Sequence, residues 1–301
     1  MPPTTGTVEL DRLYGYATGT TGGEAATPEH IHHFDDGHKF GEWLRLREKN
    51  KEMTPAIVYL SGTFHSDEGR GSGSPWFDIK RTGDLGIYGT EGFVMENVGF
   101  FLNEAENVII RNIYIKMPKA DNGAADGISM QESHHIWVDH CTFESMNQTK
   151  DYEDGSCDIT HASHDVTVSW CRFIETQKSC LVGHSNSATG DAAITATFHH
   201  NYFDASSSRH PRACARPRAR LQQLLPRSLD LRRGQRLRRH GARRGQPLRR
   251  RAAPDRHLHL PGQAGGQQLG LEPRRIACRL PLRLRQRLRE PSGHAPPNPT
   301  R

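Results

Sequence analysis

Four copies of one nine-residue pattern limit what this chain can fold into more than any other feature. They are Asn107-Val-Ile-Ile-Arg-Asn-Ile-Tyr-Ile115, His135-Ile-Trp-Val-Asp-His-Cys-Thr-Phe143, Asp165-Val-Thr-Val-Ser-Trp-Cys-Arg-Phe173 and Thr195-Ala-Thr-Phe-His-His-Asn-Tyr-Phe203. Their closing residues stand 28, 30 and 30 positions apart. In each copy the second and fourth positions are apolar or small and the ninth is Ile or Phe. Alternation with period two reads as a strand with one buried face. A strand unit that returns at a fixed longer period reads as a solenoid, each rung burying its apolar face against the next. The expectation is an all-β fold, a right-handed parallel β-helix with its loops on one side.

The segments around the repeats fit that reading. Gly15 to Gly23 is rich in Gly and Thr and reads as an extended lead-in. Residues 36–50 have helical spacing, with Phe40, Trp43, Leu44 and Arg47 on one face, and a solenoid needs its open end covered. Ala56-Ile-Val-Tyr-Leu60 reads as a buried strand. Phe77 to Lys80, Leu85 to Tyr88 and Phe93 to Phe101 read as early, less regular rungs. Long polar connections follow Met117 and Glu144, and such loops on a rigid scaffold are where binding groups tend to sit. Cys141 and Cys171 hold the same place in successive repeats, as buried free thiols or as a disulfide.

Charge divides the chain near Arg212. Residues 1–212 carry 17 Lys and Arg against 30 Asp and Glu, whereas residues 213–301 carry 23 Arg and only 4 acids. The second part contains no aromatic residue, no Val and one Ile. Such a segment cannot bury enough apolar surface to offset its ordering entropy, so disorder is expected there. The sequence therefore divides into an N-terminal extension (1–14), a β-helix domain (15–212) and an Arg- and Pro-rich tail (213–301). The tail lacks the interleaved aromatics that stack on bases, so it offers charge alone and no specific nucleic-acid partner is expected. No apolar run is long enough to span a membrane, and Met1 is not followed by a charged and then apolar leader.

Three carboxylates sit where one rung ends and the next begins: Asp126, Asp154 and Asp158. Equivalent edges of stacked rungs lie only about 4.8 Å apart. Acids distant in sequence then cluster, and a cluster of carboxylates repels unless it is protonated or bridged by a cation. Oxygen-only donors suit Ca²⁺. The plainer alternative is three solvated loop acids. Lys178 and Arg209 occupy the next two edges, so one face reads acid, acid, base, base along the axis. That order suits an anionic polymer held through a metal at one end and cations at the other.

Residues 15–212 resemble the pectate lyase superfamily. The resemblance rests on Ile136-Trp-Val-Asp-His140, Asp154-Gly-Ser-Cys-Asp-Ile159, Asp165-Val-Thr-Val-Ser-Trp170, Lys178-Ser-Cys-Leu-Val-Gly-His184, His199-His-Asn-Tyr-Phe203 and Arg209-His-Pro-Arg212, in that order. It implies the parallel β-helix and calcium-dependent β-elimination of polygalacturonate by a monomeric, secreted enzyme. It also implies Asp126, Asp154 and Asp158 as calcium ligands, Arg209 as the catalytic base, and Lys178 and Arg212 as substrate-binding groups. Some members carry a further Asp two positions before the first ligand, where this chain has Ala124. The family continues Arg-x-Pro-Arg-x-Arg, and here Cys214 replaces the last arginine.

Beyond Arg212 the sequence departs from the family. Leu221-Gln-Gln-Leu-Leu-Pro226 can be encoded so that reading one nucleotide later gives Tyr-Asn-Asn-Tyr-Phe, a family motif. The same shift lets Ala213-Cys-Ala-Arg216 give Arg-Val-Arg, and Arg244-Gly-Gln-Pro-Leu-Arg249 give Glu-Gly-Asn-His-Phe. A frameshift after Arg212 is therefore expected, with an incomplete last turn and weakened activity. Two other functions stay open: a β-helix that binds pectate without cleaving it, and a hydrolase, which would need paired carboxylates as acid and base.

Overall fold

The computed structural model describes residues 12–69, 76–120, 125–149, 151–185, 187–214 and 220–224. The expectations for residues 1–11 and for the tail from 225 onward lie outside the described residues.

The repeats do coil into a parallel β-helix. Among the described residues, every ladder between named strands is parallel, and the strands form three sheets. The long sheet has eight strands and runs from Ile31–Phe34 to Arg220–Leu224. A six-stranded sheet from Trp76–Lys80 to Arg212–Ala213 carries the candidate site and is called the site sheet below. The third, also six-stranded, runs from Thr63–His65 to Tyr202–Asp204.

The nine-residue pattern is not one strand, as its alternation suggests, but two. Glu106–Arg111 lies in the long sheet and Tyr114–Lys116 in the third, and the other copies split in the same way. The bend falls at the sixth position. Asn112, His140, Trp170 and His200 have φ of 57°, 52°, 54° and 56°. This left-handed region is costly for residues with a Cβ, and Asn is the residue that tolerates it best. The corner explains why the buried positions move from the second and fourth to the ninth. Position nine builds a column of its own: Phe143 stacks on Phe173 at 5.0 Å, and Phe173 on Phe203 at 4.8 Å. Each such ring pair contributes about 0.5–1.5 kcal/mol beyond its burial.

The capping helix is Gly37–Asn50, with Phe40, Leu44 and Arg47 buried and Trp43 packed against the core. Asp36 caps it, accepting from the Lys39 N–H at 3.2 Å. This satisfies one of the orphan donors of the first turn. Arg47 is 2% exposed and ties the helix to the first rungs. Its guanidinium reaches Thr82 Oγ1 and the carbonyls of Glu52, Thr54 and Gly83.

Two details differ from expectation. The Gly-rich lead-in is a run of turns rather than an extended strand, and it straps the outer face of the long sheet. Tyr16 N–H donates to Thr197 Oγ1, Ala17 N–H to Thr167 Oγ1, and the N–H groups of Thr21 and Gly22 to Asn107 Oδ1. Strand pairing also continues one step past Arg212. Arg220–Leu224 joins Thr195–His199 in a segment where composition offered no strand. Of the two readings for Cys141 and Cys171, the structure has buried free thiols.

Candidate active site

The site lies where the site sheet meets the long connections. Register brings its members together. Ser129 pairs with Asp158, and one strand further Leu181 pairs with Arg212. Beside this row, isolated parallel bridges join Gly155 to Lys178 and Lys178 to Ser208. Residues 154–158, 178 and 208–209 thus stack along the axis.

The rungs themselves aim two of the carboxylates. Asp126 Oδ1 accepts from the Gly155 N–H at 2.8 Å, and Asp158 Oδ1 accepts from the Leu181 N–H at 2.8 Å. In both cases the donor belongs to the next rung, so winding the helix sets the acid. Gly155 leaves room for this. A Cβ on it would come within 2.3 Å of the Asp158 carboxyl, so that carboxyl would have to move.

Both of these acids are 5% exposed. Burial, then the charge of Asp154, pushes Asp126 up to about 7, although the Ser129 hydroxyl, the Gly155 N–H and Arg209 pull the other way. Burial, then the charge of Asp126, holds Asp158 well above the carboxylate range, against the Leu181 N–H and Arg209. Desolvation and a like charge both penalise the ionised form, so this pair resists carrying two charges.

The cations answer the acids. Arg209 Nη1 lies 3.2 Å from Asp158 Oδ2, across 51 residues of sequence. Lys178 Nζ lies 3.2 Å from Asp154 Oδ1 and 2.9 Å from Asp151 Oδ1. Burial alone would lower the Lys178 ammonium, but its hydrogen bond to Asp151 and the charge of Asp154 outweigh burial and raise it. Arg209 has φ of 62°, a left-handed backbone at the residue that reaches the acids. Arg212 stands apart. Its side chain is exposed on the short strand Arg212–Ala213, and its N–H donates to the Cys180 carbonyl at 2.9 Å.

Asp126, Asp154, Asp158, Lys178 and Arg209 therefore share one neighbourhood, and Arg212 lies at its rim. Among the described residues, no group of three or more His, Cys, Asp or Glu side chains is arranged to hold a metal ion. Asp154 and Asp158 are instead engaged by Lys178 and Arg209. The donor chemistry still fits a hard cation, since all three acids offer oxygen and two are buried like charges.

Three further residues shape the site. Asp151 is the nearer acid on Lys178. Glu153 is buried, and its Oε1 accepts from the N–H groups of Met146 and Asn147 at 2.6 and 3.0 Å, bracing the loop that carries Asp151 and Asp154. Gly155 makes room for Asp158. Sequence reasoning had a signal for Gly155, since Asp-Gly-Ser stands within a motif that carries the family resemblance. It had none for Asp151, which lies in a polar loop without periodicity.

A family profile described as "Pectate lyase" matches residues 13–216. A probable pectate lyase B of Aspergillus terreus is 36% identical over 203 residues, covering 65% of this chain and 56% of the relative. A pectate trisaccharide-lyase of Thermotoga maritima is 38% identical over 183 residues, covering 56% of this chain and 46% of the relative. This chain thus spans about half the length of these relatives. Among solved structures, a pectate lyase from Bacillus sp. N165 in complex with trigalacturonate superposes with a TM-score of 0.58 at 28% identity. That match covers 68% of this chain and 66% of the other.

Proposed function

The chain belongs to the pectate lyase family, and on that premise we propose that it cleaves polygalacturonate by calcium-dependent β-elimination. One observation carries the reading. Three acids, two of them buried, and two cations converge at one edge of the site sheet, with Arg209 on Asp158 and Lys178 on Asp154.

The reaction removes the C5 proton of a uronate, forms the C4=C5 bond and breaks the C4–O bond to the neighbouring sugar. The proton is α to a carboxylate, and neutralising that carboxylate makes it more acidic. Asp126, Asp154 and Asp158 would hold Ca²⁺, which supplies a positive charge beside the substrate carboxylate. Lys178 supplies a second positive charge from the protein itself. Arg209 takes the proton. Arginine serves as a base only when its cationic form is disfavoured, because its guanidinium is otherwise always protonated. In this structure the guanidinium is held against Asp158, so that contact must loosen before Arg209 can reach a substrate proton. Arg212, whose side chain is exposed, would meet a carboxylate of a neighbouring sugar.

We further propose that the protein works outside the cell, where such polymers lie, and as a monomer. Among the described residues no helix is long and apolar enough to cross a membrane. A second reading, binding without cleavage, is favoured by the pairing of both cations with the site's own acids. Incubation with polygalacturonate and Ca²⁺ separates the two. An ultraviolet-absorbing unsaturated product, lost on chelation, is expected; binding with no product would sink the lyase reading, and reducing ends without unsaturation would mean hydrolysis.

A further inference from the structure

Lys178 is the group that would neutralise a uronate carboxylate, and it already holds two carboxylates. They differ in setting. The Asp154 side chain is 28% exposed and belongs to the acid cluster with Asp126 and Asp158. The Asp151 side chain is 59% exposed and lies closer, at 2.9 Å. Asp151 has a left-handed φ of 59°, in a turn closed by the Tyr152 N–H on the Thr149 carbonyl at 3.1 Å. The turn is held on both sides. The Tyr152 carbonyl accepts from the Ala120 N–H at 2.8 Å, and Glu153 grips Met146 and Asn147. The backbone therefore delivers a carboxylate to the solvent side of the Lys178 ammonium.

A galacturonate carboxylate is the same chemical group. We propose that Asp151 is a specificity residue that occupies Lys178 in the free protein and gives way to a uronate carboxylate. The inference deepens the proposed function and rests on the substrate role of Lys178 in it. The exchange replaces one anion by another, so Lys178 keeps a counter-charge before and after. A neutral sugar or an esterified uronate has no charge to offer in return, and the pair stays closed against it. Because an exposed ion pair is weak, the right ligand opens it easily.

The test uses the full chain with Ca²⁺ and polygalacturonate. Asp151→Asn keeps the shape and removes the charge. KM is expected to fall about two- to five-fold, the worth of an exposed ion pair, with the change in KM rather than kcat because the pair opposes binding alone. Asp151→Glu keeps the charge and the reach to Lys178, and should return KM toward the starting value. An unchanged KM in Asp151→Asn overturns the proposal. So does a raised one, which would make Asp151 a holder of substrate rather than its competitor. If the unsubstituted protein gives no unsaturated product, the lyase reading fails separately. Calorimetric titration of trigalacturonate then decides this proposal alone: tighter binding to Asp151→Asn supports it, and equal or weaker binding overturns it.

Discussion

Replacing Asp126 by Asn tests whether the buried acids form a site whose charge lowers the stability of the fold. The carboxyl of Asp126 is raised from 3.8 to about 7, by burial first and by Asp154 second. A tenfold change in an ionisation equilibrium is worth about 1.4 kcal/mol. The rise spans roughly three powers of ten, so the ionised group at pH 8 costs the metal-free fold up to about 4 kcal/mol. The sign follows from the direction. A pKa raised on folding contributes stability that is complete below about pH 4 and is lost as pH climbs through about 7. Asn cannot ionise, and its Oδ1 can still accept from the Gly155 N–H.

Urea unfolding at pH 5 and pH 8 in chelator therefore separates the proteins. The stability difference, Asp126→Asn minus unsubstituted, should grow by a few kcal/mol in favour of the variant as pH rises. Titrating groups remote from the site are common to both and cancel. The growth falls short of the full figure because part of the cost is already present at pH 5, while Asp158, relieved of a like charge in the variant, shifts the difference further in the same direction. Added Ca²⁺ should reverse the order. It stabilises the unsubstituted protein by binding the native state alone, and it finds one fewer carboxylate in the variant. Parallel curves at both pH values, or equal stabilisation of the two proteins by Ca²⁺, would refute the reasoning.

Three other outcomes are expected. Gly155→Ala forces a methyl against the Asp158 carboxyl; it should cost about 1–3 kcal/mol in stability by overpacking and at least ten-fold in product formation, and full activity would show that Asp158 has another place to go. Phe173→Ala removes the middle ring of the Phe143, Phe173 and Phe203 column and should destabilise by about 3–5 kcal/mol in denaturant unfolding, with a smaller loss marking a column that closes up. Lyase activity should rise on the alkaline side of neutrality, because an arginine base needs its proton removed; a pH–rate profile peaking well below 7 would count against Arg209.

The fold was legible because its signal is periodic and redundant. Four repeats state the same alternation, and Val108, Ile136, Val166 and Ala196 all reach the core as their position requires. The corner at position six was not legible. Its occupants, Asn112, His140, Trp170 and His200, share a backbone angle rather than a residue type. Asp126, Asp154, Asp158, Lys178 and Arg209 were picked out by their place at rung edges and by the family motifs, and their pairing was beyond either. The reason lies in the connections. The contacts that make the site span 29, 23, 24 and 51 residues, for Asp126 with Gly155, Asp158 with Leu181, Lys178 with Asp154 and Arg209 with Asp158. The first three are single rungs and the last is two, with loops of unequal size inside them, so no single sequence interval reports the contact. Only strand register does, and register is set by apolar positions such as Ile128, Cys157 and Ile159 on the buried side of the same strands. It follows that the buried face governs the site's geometry. A change of length within a strand such as Cys157–Thr160 would turn Asp158 to the opposite face, whereas a change of length in a loop between two strands leaves both registers as they are.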